Sequence, residues 1–160
     1  MLNIAILCVG KCKEAYWRDA CAEYIKRLSA FCRISVVEVE EERLPERPSE
    51  AQIRSCLAAE GKRLLDKVPS GAAVVALCIE GRQMTSPAFS ALLEDYALRG
   101  VSHVALVIGG SYGLADEVKA AAKVKLSFSP MTFPHQLARV MLLEQVYRAM
   151  QISSGGKYHK

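Results

Sequence analysis

At 160 residues, with 51% hydrophobic and 24% charged side chains, the chain has the length and composition of one globular domain able to bury a substantial core. No apolar run is longer than a buried strand, so none reads as a membrane span, and the start "MLNIAILCVGK" reads as a first strand rather than a signal peptide. The net charge of +4 is unevenly placed: from Lys119 to Lys160 seven Lys or Arg stand against one acid, Glu144, whereas the first 118 residues hold 14 basic and 16 acidic side chains. A basic C-terminal quarter fits a phosphate-bearing partner, although a solvated basic surface would look the same. A cytoplasmic location is expected.

In chain order, the first strand-like run is "LNIAILCV" (2–9). In "EAYWRDACAEYIKRL", Trp17, Cys21, Tyr24 and Leu28 recur at three- and four-residue steps, the spacing of one buried helix face. "RISVVEVE" (33–40) predicts a second strand, and "EVEEERLPERPSE" (38–50) an acidic loop. Ser49 and Gln52 have capping-box spacing ahead of a helix striped by Ile53, Leu57, Leu64 and Leu65. "AAVVALCI" (72–79) is a third strand. "SPAFSALLEDYALRG" is a third helix, with Ser86 as its cap, Pro87 at the first helical position and Gly100 beyond the end. "HVALVI" (103–108) runs into the glycine turn "GGSYGL" and another helical pattern, and "KLSFS" (125–129) is a fifth strand.

The last helix begins near Pro134. Its apolar residues, from Leu137 and Val140 through Val146 to Met150, spread around nearly the whole circumference, so most sides need cover. A second copy of the chain or the chain's own loops could supply it. Apolar strands alternating with helices predict an α/β fold with a mostly parallel sheet and helices on both faces, in one domain. The six cysteines (Cys8, Cys12, Cys21, Cys32, Cys56, Cys78) form no C-x-x-C pair and fall at apolar positions, so they read as small buried hydrophobes, and no metal is expected.

Three segments carry candidate chemistry. The turn glycines Gly109, Gly110 and Gly113 do not have dinucleotide-fingerprint spacing, the turn follows the fourth strand, and Ser129 stands where a ribose-binding acid would be. The loop "LSFSPMTFPHQ" (126–136) could read an adenine edge through its backbone, with Met131 and Phe133 as walls. His135 and Arg139, four apart at the start of the last helix, share a face and could meet a phosphate or substrate, while Glu144 and Arg148 at the same spacing read as a weak surface ion pair. The ending "SSGGKYHK" offers cation, ring and imidazole on a flexible tether, in Lys157, Tyr158, His159 and Lys160, a composition suited to RNA.

"VIGGSYGL", "LSFSPMTFPHQLARVMLLEQVYRA", the terminal "YHK" and the opening "VGKCKEAYWRDACAEYIKRL" together resemble the ribosomal large subunit methyltransferase H (RlmH) family of the SPOUT superfamily, over essentially the whole chain. The resemblance implies a C-terminal trefoil knot, here over about 103–155, and a homodimer in which the last helix meets its partner. It implies S-adenosylmethionine as methyl donor and N3 of a pseudouridine in the helix 69 loop of 23S rRNA, in the assembled ribosome, as target. By motif, the donor would contact Leu77, Gly109, Gly110, Phe128, Ser129, Pro130, Met131, Thr132 and Phe133. Removal of the imide proton needs a base, for which His159, Tyr158 and His135 are candidates, and Arg139 could stabilise charge on the uracil oxygens. The tail is expected to close over the donor only when RNA is bound. The chain departs from the family pattern at Cys78, where an acid is expected, and at Lys157, where Pro or a small residue is expected. A nucleotide-binding oxidoreductase or flavodoxin-like module, and a non-catalytic ribosome-binding factor, are the competing classes.

Overall fold

The period-two alternation in the strand runs sorts their side chains onto two buried faces, and two sets of helices cover them. The computed structural model describes residues 1–160. In order, the elements are β1 (Asn3–Val9), α1 (Ala15–Leu28), β2 (Arg33–Val39), α2 (Glu50–Asp66), β3 (Ala73–Gln83), α3 (Ser86–Leu98), β4 (His103–Ile108), α4 (Asp116–Ala121), β5 (Val124–Ser127) and α5 (His135–Ser153). All strand pairs are parallel, in the order β2-β1-β4-β3-β5. Ile4, Ile6 and Cys8 of β1 and Val104, Leu106 and Ile108 of β4 pack under α1, α3 and α5. Ala5, Leu7 and Val9, with Ala105 and Val107, pack under α2 and α4. Each fully buried Leu or Ile contributes about 1.5–3 kcal/mol relative to exposure. The α/β expectation is met, and all six cysteines are free thiols, five of them buried.

Local chemistry sets the boundaries. Ser49 accepts from the Gln52 backbone N–H at 3.1 Å while the Gln52 side chain accepts from the Ser49 N–H at 2.8 Å, the capping box read from the sequence. The α3 cap is Thr85 rather than Ser86: Thr85 accepts from the Ala88 N–H at 3.2 Å, which releases the Ser86 hydroxyl to donate to Gln145 of α5 at 2.6 Å. Strand β3 runs four residues beyond the expected Ile79, because Leu77 and Arg82 both pair with Leu126 and residues 78–81 bulge between them. Gly81 makes the bulge possible. A Cβ there would lie 2.8 Å from the backbone of Lys125 and Leu126, too close for any side chain.

Helix α5 lies between α1 and α3 and buries Leu142, Leu143, Val146 and Ala149 in the larger core cluster. Much of its apolar circumference is therefore covered within the chain. Its first turn also buries a charge. Arg139, expected to meet a phosphate or substrate, is 4% exposed and engaged within the chain. One of its nitrogens donates to Glu38 of β2 at 2.7 Å and another to the Gly10 carbonyl at 3.1 Å, leaving Nε without a partner. The physical reason is that the β1 end turns at Gly10 (φ 81°) and presents its carbonyl inward, where only a long cationic side chain can reach it. Replacing Glu38 by Ala leaves a buried guanidinium uncompensated and should cost about 2–3 kcal/mol. Arg139→Met frees the part-exposed Glu38 carboxylate to hydrate and should cost less. Urea unfolding of the two variants checks that order.

Candidate functional site

The C-terminal ends of β3, β4 and β5 open onto a pocket of about 840 Å³, within the usual range of small-ligand sites and in the position where α/β sheets bind ligands. Two loops form its walls. In the first, the Gly113 N–H donates to the Gly110 carbonyl at 3.1 Å, closing a tight turn with Gly113 at φ 88°. Gly109 is buried, and a Cβ on it would overlap the Gly113 carbonyl. A Cβ on Gly110 would face Val9 at 3.3 Å and Glu60 at 3.6 Å. The chain's own packing thus demands glycine at 109, whereas at 110 a Cβ would make only a tight side-chain contact.

The second wall is the β5–α5 loop. The Ser129 hydroxyl accepts from the Met131 N–H at 3.0 Å, and Ser127 donates to the Ser129 carbonyl at 3.2 Å, which stiffens the turn ahead of Pro134. Leu77, Gly109, Gly110, Phe128, Ser129, Met131, Thr132 and Phe133 all line the pocket, whereas the exposed Pro130 shapes the loop without lining it. Ile79, Tyr112 and Met131, 52%, 48% and 73% exposed, stand together at its rim. Large apolar side chains left in water around one opening mark a binding surface. Two charged side chains line the same space, Glu80 and Lys119, and they pair with each other.

Of the proposed acid–base groups, only His135 lines this pocket. Burial holds its pKa below the ordinary imidazole value, opposed by Glu41 and reinforced by the Arg139 charge, so the ring is neutral at neutral pH. Tyr158 and His159 lie elsewhere. From His135 to Arg148 the helix advances roughly 20 Å, and the tail folds back at that far end rather than hanging on a free tether. Tyr158 donates to Glu144 at 3.1 Å and packs edge-on against Tyr147 at 4.8 Å. The Arg148 guanidinium lies over the Tyr158 ring at 4.7 Å and 3.2 Å from His159 Nδ1. Burial raises the Tyr158 phenol to about 12, so it stays protonated.

Glu144 and Arg148 are also not the exposed pair the spacing suggested. Arg148 reaches one Glu144 oxygen through two nitrogens, at 3.0 and 2.6 Å, and the side chains are 18% and 25% exposed. Gln145 donates to the other Glu144 oxygen at 2.9 Å. A shared acceptor with this many donors is stronger than an isolated surface pair. No single spacing in the sequence encodes it, because the tail closes the arrangement.

A second groove, of about 1050 Å³, lies beside the first, and its charged lining mixes five carboxylates, Glu38, Glu40, Glu41, Glu42 and Glu60, with Lys11, Lys13 and Arg43. Glu60, 5% exposed, accepts from the Glu42 N–H at 3.0 Å, and burial raises its pKa. No three His, Cys, Asp or Glu side chains converge as metal ligands, and no helix is long and apolar enough to cross a membrane.

With the fold and pocket in view, residues 2–159 match the family described as a predicted SPOUT methyltransferase. The fold resembles that of a probable methylase family protein from Haemophilus influenzae, with a TM-score of 0.55 at 15% identity over 99% of this chain and 71% of that one. Two curated relatives, from Oenococcus oeni (49% identical over 100% of both chains) and Bifidobacterium animalis subsp. lactis (52% over 99% of this chain and 100% of that one), are both named ribosomal RNA large subunit methyltransferase H. The chain belongs to that family of SPOUT methyltransferases.

Gly109→Ala should destabilise the protein by about 3 kcal/mol, as overpacking against backbone does, and a lowered denaturant midpoint would report it. Tyr158→Ala should release the tail, read as faster amide exchange over residues 154–160 with the sheet unaffected.

Proposed function

We propose that the protein uses S-adenosylmethionine to methylate N3 of the helix 69 loop pseudouridine of 23S rRNA in the assembled ribosome, acting as a cytoplasmic homodimer. The observation that carries this reading is the pocket itself: a stiffened loop and a glycine turn, an apolar rim at Ile79, Tyr112 and Met131, and a neutral His135 beside them. Apolar walls at Leu77, Phe128 and Phe133 suit an adenine ring, so the residues present fit the donor. When bound, S-adenosylmethionine supplies an electrophilic methyl group on sulfur. Leu77, Gly109, Gly110 and the loop from Phe128 to Phe133 bind and orient it, and the surrounding apolar side chains exclude water.

The target N3 carries a proton that must leave. His135, neutral and at the pocket, is positioned to accept that proton on its imidazole. Tyr158, held protonated and donating to Glu144, anchors the tail in this scheme. Arg148, Lys157 and Lys160 offer cations, and His159 a ring, to the RNA. Arg139 supports the site from beneath by fixing the start of α5. The distance along α5 separates the tail from the pocket of its own chain. A second copy across α5 would bring one subunit's tail to the other's pocket, which is the support for the homodimer. The trefoil knot over about 103–155 belongs to the same proposal. Its support is the path from the interior strand β4 to β5 beyond β3 and back through α5 between α1 and α3.

The decisive assay is transfer of a labelled methyl group to ribosomes lacking the modification. Label in the helix 69 pseudouridine is expected, and its absence with donor binding intact would refute the assignment. The rate should hold near and above neutral pH and fall as acid protonates His135, below the ordinary imidazole value of about 6.5. His135→Ala should lose that limb and about 10²-fold in rate. Deleting residues 157–160 should abolish ribosome methylation while leaving donor affinity unchanged.

A further inference from the structure

The bulge in β3 aims a charged side chain that the fold itself does not need. Leu77 and Arg82 both pair with Leu126, so residues 78–81 loop away from β5, and Gly81 returns the strand against the Lys125–Leu126 backbone. Bulges re-aim side chains in this way beside functional sites. Here the bulge puts Ile79 at the pocket rim and Glu80 on its wall. The Glu80 carboxylate is met there by the ammonium of Lys119, from α4, whose side chain is 24% exposed. Glu80 is the one carboxylate, and Lys119 the one ammonium, among the residues lining the pocket. Cys78, next to it on the bulge, adds no charge, since burial pushes its thiol upward. The hydrogen bond from Lys119 holds Glu80 below the usual carboxylate range, so both carboxylate oxygens accept and neither donates.

An ionised carboxylate already paired with an ammonium is electrically neutral as a unit. It gains little from an incoming cation, yet its free lone pairs still accept from hydroxyl groups. The partner such a group fits is a vicinal diol, two hydroxyls on adjacent carbons. We infer that Glu80 receives the ribose hydroxyls of the methyl donor, with Lys119 as a positioning residue that keeps the carboxylate aimed and charged. The inference rests on the reading that this pocket takes S-adenosylmethionine.

Calorimetry on the full-length protein tests it with S-adenosylmethionine, S-adenosylhomocysteine, 5′-methylthioadenosine and the 2′-deoxy form of the last. Glu80→Gln should weaken the first three by about tenfold alike, the worth of a hydrogen bond to a charged group. The 2′-deoxy compound should bind the native protein weakly and change little in the variant. Unchanged affinities in Glu80→Gln would overturn the assignment. So would a loss confined to the two ligands that carry the amino-acid group, since that would put Glu80 on their ammonium. Failure of the native protein to bind any of the four would overturn the donor reading beneath it. Lys119→Met supplies a second readout. Without the ammonium, Glu80 protonates at higher pH, so donor affinity should begin to fall on acidification earlier than in the native protein. Identical pH profiles would refute the positioning role.

Discussion

The geometry of the site depends on where α5 begins, and that is set by one buried guanidinium. Arg139 joins the first turn of the last helix to the Gly10 carbonyl at the end of β1 and to Glu38 of β2, across 129 and 101 residues of sequence. The loop that walls the pocket is anchored by β5 at one end and by this clamp at the other. A buried ion pair is costly on its own, and the unpartnered Nε adds to the cost. What the pair supplies is a fixed entry for α5. The pocket-lining loop from Phe128 to Phe133 therefore rests on a contact outside the pocket.

Both arginines of α5 are already paired, Arg139 with Glu38 and Arg148 with Glu144, and Arg148 also stacks on Tyr158. The groove beyond β1 and β2 mixes Glu38, Glu40, Glu41, Glu42 and Glu60 with Lys11, Lys13 and Arg43. Glu60 serves both regions, since it holds the acidic loop through the Glu42 N–H and lies beneath Gly110 of the pocket turn.

Local signals in the sequence translate well into structure where a single period or cap decides. The strand "HVALVI" is observed as His103–Ile108, and the Ser49–Gln52 box forms as spaced. The residues expected at the donor converge on one pocket, apart from the exposed Pro130. What the sequence could not reveal depends on distant partners. Arg139 read as free to meet a phosphate or substrate because Glu38 and Gly10, its partners, lie more than a hundred residues away. Thr85 caps α3 in place of Ser86, whose hydroxyl bonds Gln145, a partner 59 residues away. The β3 bulge is invisible to periodicity, since only the backbone of β5 explains why residue 81 is a glycine. The tail read as a free tether because its anchor, Glu144, looked committed to Arg148 alone.

The central claim is that the glycine turn and the β5–α5 loop are two halves of one donor site. Amide hydrogen exchange with and without S-adenosylmethionine tests this most directly. Protection is predicted over residues 109–114 and 128–134 together, with the acidic loop at 40–45 unchanged. Protection of the acidic loop in their place, or of only one of the two segments, would contradict the account.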